Sequence, residues 1–329
     1  MDELLAGLRA VAEMTRLRIL FALSHGEMNV TELTQVLDQS QPRVSRHLKL
    51  MTEAGLISRH KEGNWVLFRQ RDAGRGGALA RALVDMLPAH DQLLAGDIRR
   101  LADIRLQRQE QAKAYFAANA VRWQQLRSLH VQEDEVESAL LEMLGTSHFA
   151  TVVDLGTGTG RMLELLANKG KQLFGVDQSR DMLAIARANI ERAALKHVQI
   201  RQADIYQLPF GDATADLVTV HQVLHFLDDP QTAIVEARRI LRTGGQLLIV
   251  DFAPHELEEL RMAHAHRRLG LSAEQMSQFL AKAGLVLRQH KVLPPPWRKT
   301  GPGLTVSLWL AALQESETLS NSTAKANAS

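Results

Sequence analysis

From Leu4 to Leu23 the apolar residues Leu4, Leu8, Val11, Ala12, Leu20 and Leu23 recur at helical spacing, and Gly26 supplies a stop. That pattern predicts one helix. A short second helix begins near Val30, with Thr31 as its cap and Leu33, Val36 and Leu37 on one face. A third follows Ser40 or Gln41, with Pro42 in its first turn, Val44, Leu48 and Met51 on one side and Gly55 at its end. Two β-rich runs, Leu56 to His60 and Trp65 to Arg69, flank Lys61-Glu62-Gly63-Asn64, a hairpin turn by composition. From Ala73 to about Lys113 the spacing is helical again, interrupted at Pro88. Being the only stretch between the two halves in sequence, this segment is expected to transmit any signal between them and is a possible dimerisation element.

Beyond about Tyr115 the pattern changes. Strand-like runs at Thr151–Leu155, Leu173–Val176, Val198–Gln202, Leu217–Val220 and Leu247–Val250 alternate with helical stretches, which predicts a parallel sheet. Val286–Val292 and Leu304–Leu310 have no clear helix between them, so an antiparallel hairpin at the sheet edge is expected. The polar stretch from Thr318 to Ser329 has almost nothing to bury and reads as disordered. The predicted class is α/β, divided into residues 1–72, a helical connector 73–114, a large domain 115–314 and a tail 315–329.

Composition narrows the chemistry. The chain has 329 residues, 45% hydrophobic and 23% charged, the balance of a globular protein. No cysteine is present, which excludes disulfides, thiolate zinc sites, iron–sulfur clusters and cysteine nucleophiles. No metal site is expected. The start Met1-Asp2-Glu3 leads into an amphipathic stretch, and no window of about 18 apolar residues occurs, so a cytoplasmic protein without membrane contact is expected.

A net charge of +2 means that any nucleic-acid surface must be a local concentration. Between Ser40 and Arg69 six basic residues (Arg43, Arg46, Lys49, Arg59, Lys61, Arg69) face only two acidic ones, Glu53 and Glu62. On a helical wheel the buried stripe of the third helix leaves Arg46 and Lys49 outward with Arg43 and Ser45 on the flanks, where side chains reach phosphates and base edges. The run QPRVSRHLKLMTEAGLISRHKEGNWVLFR, above all Val44-Ser45-Arg46-His47-Leu48 followed by Ala54-Gly55-Leu56, resembles the recognition helix and wing of ArsR-type winged helix-turn-helix regulators over about residues 3–70. The resemblance implies a homodimer on double-stranded operator DNA. Gln41, Arg43, Ser45 and Arg46 would face the major groove, and Lys61 to Asn64 the adjacent backbone; Lys49 and Arg59 complete the basic set.

In the larger half, VVDLGTGTG places Asp154 at a strand end and Gly156, Gly158 and Gly160 in the turn to a helix, where backbone and ligand approach closely. The spacing is Gly-x-Gly-x-Gly rather than the dinucleotide Gly-x-Gly-x-x-Gly. Asp177 ends the next strand, where ribose hydroxyls need an acceptor, and Asp204 follows the third, placed for an adenine amino group. These three features describe a nucleoside pocket.

With GVDQS, QADIYQLPF, ADLVTVHQVLHFLDDP and LRTGGQLLIVDF, they resemble the successive motifs of class I S-adenosylmethionine-dependent methyltransferases, with a Rossmann-like, mostly parallel sheet and an antiparallel edge strand, over about residues 115–312. The likeness implies that the three glycines line the methionine moiety of S-adenosylmethionine or S-adenosylhomocysteine, with Asp154 beneath them. It gives Asp177 the ribose, Gln178 and Met182 the flanks of the adenine, and Asp204 with the Ile205 backbone its amino edge. His221 and Gln222 fall near the sulfonium and acceptor. A strand-end carboxylate such as Asp177 is not core, so its loss is expected to leave stability intact.

Whether methyl transfer occurs is a separate matter. The sulfonium already activates the methyl carbon, so orientation suffices for some acceptors and others need a base, for which His221 or His225 is the candidate. No motif marks the acceptor. Fusions of this arrangement are read as regulators of methionine and S-adenosylmethionine metabolism, which the resemblance extends to this chain. Three readings stay open: a transcription regulator responding to the nucleoside, a small-molecule methyltransferase with an autoregulatory DNA-binding domain, and a DNA-binding dimer whose large domain is only interface.

Overall fold

A computed structural model describes residues 2–62, 65–71, 74–88, 90–119, 133–295 and 303–313. The chain divides into two compact units, one of residues 1–116 with 226–229 and 255–269, the other of 117–225, 230–254 and 270–329.

The first unit opens with α1 (Asp2–Val11) and α2 (Met14–Ser24), where the sequence pattern predicts a single helix. The break has a local cause. Glu13 is extended at φ −162°, and its carboxylate accepts from the Arg16 amide at 3.0 Å and from Thr15 Oγ1 at 2.9 Å, capping α2. A two-residue strand β1 (Met28–Asn29) precedes α3 (Val30–Leu37), and the cap of α3 is Asn29 rather than Thr31. Asn29 Oδ1 accepts from the Glu32 amide and Glu32 reaches back to the Asn29 amide, a reciprocal box. The reading helix α4 (Gln41–Glu53) starts at Ser40 with Pro42 in its first turn. Strands β2 (Ile57–Glu62) and β3 (Trp65–Gln70) form an antiparallel hairpin pairing Glu62 with Trp65, and β1 pairs with β3.

Ile19, Leu20, Leu33, Val36, Val44, Leu48, Met51, Leu56 and Ile57 form one core beneath these elements. Helices α5 (Gly74–Asp85) and α6 (Gln92–Asn119) follow. A Cβ on Gly76 of α5 would lie 2.2 Å from the Gly55 carbonyl, so this backbone approach requires glycine. Helix α6 is fastened by a buried cluster. Asp97 accepts from Arg18 Nε at 2.8 Å and Nη2 at 2.6 Å and from Arg100 Nη2 at 2.6 Å. The two arginines in turn donate to the Leu37 and Val36 carbonyls at the end of α3. Such a cluster holds α6 on the helix that precedes the reading helix.

The second unit contains α7 (Glu133–Leu144), β4 (Phe149–Leu155), α8 (Arg161–Leu166), β5 (Gly170–Asp177), α9 (Arg180–Arg192), β6 (Val198–Gln202), β7 (Ala215–His221), α10 (Pro230–Ile240), β8 (Leu241–Phe252), α12 (Ala273–Lys282), β9 (Leu285–Leu293) and β10 (Val306–Leu313). A short α11 (Glu258–Ala263) lies in the excursion 255–269. The seven strands lie in the order β6-β5-β4-β7-β8-β10-β9. Five are parallel, and β10 inserts antiparallel between β8 and β9, the hairpin expected at this edge. Central strand β7 is buried along its whole length, as in a sheet covered on both faces. The chain runs outward from β4 through β5 to β6, then returns to the other side of β4 for β7. That reversal opens a crevice at the carboxyl ends of β4 and β7.

Candidate functional site

On α4 the core stripe is Val44, Leu48 and Met51, all essentially inaccessible, with His47 9% exposed beside them. Gln41, Arg43, Ser45, Arg46 and Lys49 are all exposed, as are Arg59 and Lys61 on β2. Asn64 lies outside the described residues. Arg43 Nη2 is 3.5 Å from Glu13 Oε1 and 3.4 Å from Thr15 Oγ1, and Lys49 is 4.0 Å from Glu53 one turn on. His47 is packed, its Nε2 3.9 Å from Glu13 Oε2, and burial pushes its pKa below the usual imidazole value. The exposed set gives α4 and β2 a basic, polar face, suited to a groove edged by phosphates.

The crevice gathers the second set. Asp154 at the end of β4 is buried, with Oδ1 accepting from Thr219 Oγ1 of β7 at 2.7 Å. The turn after it carries Gly156, Gly158 and Gly160 at φ 69°, 52° and 87°. A Cβ on Gly156 would meet Val223 Cγ2 at 2.5 Å, so the backbone here takes a course open to glycine. The amides of Gly156 and Thr157 donate to the Val176 carbonyl at 2.8 and 2.9 Å, pinning the turn to β5.

Asp177, at the end of β5, accepts from Gly158 N at 2.9 Å on Oδ2 and from Ser179 N at 2.8 Å on Oδ1. It therefore organises the glycine turn and the start of α9, two backbone contacts that the expectation of unchanged stability on its loss did not include. Burial raises its pKa above the ordinary aspartate value, against the backbone amides of Ser179, Gly158 and Gln178, which lower it. Each bond to a backbone amide uses one of about four lone-pair positions, so acceptor capacity remains for hydroxyls.

Met182 is buried on α9, whose cap is Ser179, and Gln178 is exposed with its carbonyl accepting from Gln202 Nε2. Asp204 Oδ1 accepts from the Tyr206 amide at 3.0 Å and bridges to Gln207, fixing the loop that holds Ile205. His221 ends β7, buried, and Gln222 follows at φ 55°, a left-handed conformation that is costly for a residue with a Cβ. Three buried polar atoms, Thr157 Oγ1, Thr159 Oγ1 and Gln222 Nε2, have no hydrogen-bond partner among the described residues. Leaving such groups unsatisfied costs about 1–3 kcal/mol each, so a strained, polar crevice of this kind suits a polar ligand.

His225 is almost fully buried, and its Nδ1 lies 2.6 Å from Asp251 Oδ1 at the end of β8, while its amide donates to Oδ2 at 3.3 Å. Asp251 and Thr219 escaped the sequence reading. Their signal was a lone polar residue late in an apolar strand, the same signal that marked Asp154.

The residue types fit an S-adenosyl nucleoside: a glycine turn for close approach, a strand-end carboxylate with spare capacity for hydroxyls, and unsatisfied polar groups around them. The cofactor, when bound, supplies a methyl carbon activated by the adjacent sulfonium.

Comparison with known proteins divides at the same place. Residues 13–59 match the model of the arsR family of bacterial regulatory proteins, and residues 153–249 match that of a methyltransferase domain. Malonyl-[acyl-carrier protein] O-methyltransferase of Enterobacter lignolyticus is 34% identical over 168 residues, 49% of this chain and 64% of that one. Demethylmenaquinone methyltransferase of Thermus thermophilus is 36% identical over 105 residues, 31% of this chain and 47% of that one. The chain thus spans about half to two thirds of the length of these relatives. Among solved structures, a chain from the complex of the Haloferax volcanii Trm112 methyltransferase activator with a methyltransferase is 22% identical, with a TM-score of 0.52, and 60% of this chain covers 96% of it; it shows a shared fold. The chain thus carries an arsR-family regulatory domain at residues 13–59 and a methyltransferase domain at residues 153–249.

Proposed function

We propose that the protein is a DNA-binding transcription regulator whose methyltransferase domain senses S-adenosylmethionine or S-adenosylhomocysteine and controls genes of the methionine and S-adenosylmethionine cycle. The carrying observation is the presence, on one chain, of an outward basic face on α4 and a glycine turn held by Asp177, next to Asp154 at the end of β4. In this reading Gln41, Arg43, Ser45 and Arg46 meet base edges, and Lys49, Arg59, Lys61 and Asn64 meet the backbone. Gly156, Gly158 and Gly160 line the methionine moiety, Asp177 takes the ribose, Gln178 and Met182 flank the adenine, Asp204 with Ile205 holds its amino edge, and His221 and Gln222 face the sulfonium end.

The acting species is a homodimer on a partly palindromic operator in the cytoplasm. Leu4, Leu5 and Leu8 on α1 and Leu93, Ile98 and Leu106 on α6 are exposed apolar residues of the kind a second copy covers. Among the described residues no helix is long and apolar enough to cross a membrane.

Calorimetric titration of the full chain with each nucleoside, with and without operator DNA, tests this reading. An effect of nucleoside on operator affinity that needs no methyl acceptor supports the sensor; absence of nucleoside binding sinks it. The second reading, a small-molecule methyltransferase with an autoregulatory reader, draws support from the His225–Asp251 pair, since a carboxylate on Nδ1 fixes the ring for proton transfer at Nε2. Turnover with a small acceptor, lost in His225→Gln, would favour it.

A further inference from the structure

The connector 73–114 is the only link between reader and crevice in sequence, but two more segments enter the reader unit: 226–229 and 255–269. Both leave directly from the crevice. The first follows His225, and the second follows β8, whose Asp251 holds the His225 ring. Asp228 ties the two segments together, its Oδ1 accepting from Arg267 Nε at 2.9 Å and its carbonyl from Arg268 Nη2 at 3.2 Å.

Arg268 then turns to the reader. Its Nη1 lies 3.0 Å from Oε2 of Glu27, a residue 241 positions earlier. The other oxygen of Glu27 is 3.9 Å from Arg69 Nη1 on β3 of the wing, and Arg69 Nε donates to Ser58 on β2. Side chains of Arg268 and Glu27 are only 10% and 17% exposed, so the pair is little screened by salt. One carboxylate thus stands between the wing and the segments that continue from His221, Gln222 and His225.

We propose that the Glu27–Arg268 ion pair is the joint through which occupancy of the nucleoside crevice alters the wing, which rests on the sensor reading above. A ligand at the strand ends acts on the segment 221–225; that segment continues into Asp228, Asp228 holds Arg268, and Arg268 shares Glu27 with the wing arginine. For regulation the joint needs two arrangements that ligand and DNA prefer differently, and linkage makes the effect reciprocal. Neither residue belongs to the DNA face or to the crevice, so their substitution separates coupling from binding.

The test measures S-adenosylhomocysteine affinity of the full chain, with and without a duplex selected by that chain from a random-sequence pool, for wild type, Glu27→Gln, Arg268→Gln and the double variant. Wild type should show a coupling factor of about 5 or more. Each single variant should bring the factor to within about twofold of one, the double variant no further, while nucleoside affinity without DNA stays within about threefold of wild type. A merely structural pair would lower the melting temperature and leave the factor unchanged. If Glu27→Gln weakens the reader too far to bind DNA, Glu27→Asp keeps the charge, shortens the reach by a methylene, and should still reduce the factor. Variants that fold and keep the wild-type factor overturn this inference alone. A wild-type chain that binds no nucleoside, or binds nucleoside and DNA independently, overturns it together with the sensor reading.

Discussion

Arg46 and Asp177 represent two ways of attaching a functional group to a core. Arg46 sits on the exposed side of α4, opposite Val44 and Leu48, and the core beneath does not depend on it. Asp177 is half-buried at a strand end, holding the amides of Gly158 and Ser179 at the glycine turn and the start of α9. The exposed residues of α4 can therefore be changed without touching the core, whereas in the crevice the groups that would meet a ligand already hold the backbone. A second carboxylate, Asp97, marks the limit of this series: it is 1% exposed, paired with two arginines, and a fastening.

The largest effect should come from that fastening. Asp97→Ala leaves Arg18 buried without its charge partner, and breaking a buried pair in this way costs about 3–5 kcal/mol. Chemical denaturation should show the loss in the reader unit. A change of less than about 1 kcal/mol would mean that α6 is not held by this cluster.

Asp177→Ala should weaken nucleoside binding at least tenfold, since hydrogen bonds to a charged acceptor are worth roughly 1.5–3 kcal/mol. Unlike a surface change, it should also lower the melting temperature, because the Gly158 and Ser179 amides lose their acceptor. Preserved affinity would move the ribose site elsewhere. Arg46→Ala sharpens the contrast from the other side: operator affinity should fall by about 1–3 kcal/mol, with nucleoside affinity and melting temperature unchanged. Unchanged operator affinity across a range of salt would remove α4 from the DNA interface.

The same contrast explains what could be read in the sequence. Outward residues of α4 followed from the buried stripe alone, because a helix of known period fixes both faces at once. The five parallel strands followed from short apolar runs alternating with helical stretches. What escaped was set by single polar contacts. The break between α1 and α2 depends on Glu13 folding back onto the Arg16 amide, and the start of α3 on the reciprocal bonds of Asn29 and Glu32. Asp251 became visible only when β8 was placed beside β7, since its partner His225 lies 26 residues away. No periodicity reports the pairing of Arg268 with Glu27, which is set by tertiary contact alone.

The smallest effect at neutral pH, and the sharpest discriminator, is the response to acid. Burial raises the folded pKa of Asp177 above its ordinary value, so on acidification this carboxyl takes up its proton earlier than an exposed aspartate would. The neutral form is the poorer acceptor for two hydroxyls. Nucleoside affinity should therefore hold from about pH 8 downward and then fall, by up to about tenfold per pH unit, once the raised pKa is passed. The sign for stability is opposite: the burial penalty on the charged form is present above the folded pKa and relieved as pH drops through it, so lost affinity cannot be ascribed to unfolding at this group. Asp177 is not part of the exposed face of α4, so operator affinity without nucleoside should stay level across this range. Calorimetry of S-adenosylhomocysteine binding across this range, beside the same titration of Asp177→Asn, decides the matter. A flat wild-type profile, or an equally steep one in the variant, would assign the proton to another group and detach the ribose role from Asp177.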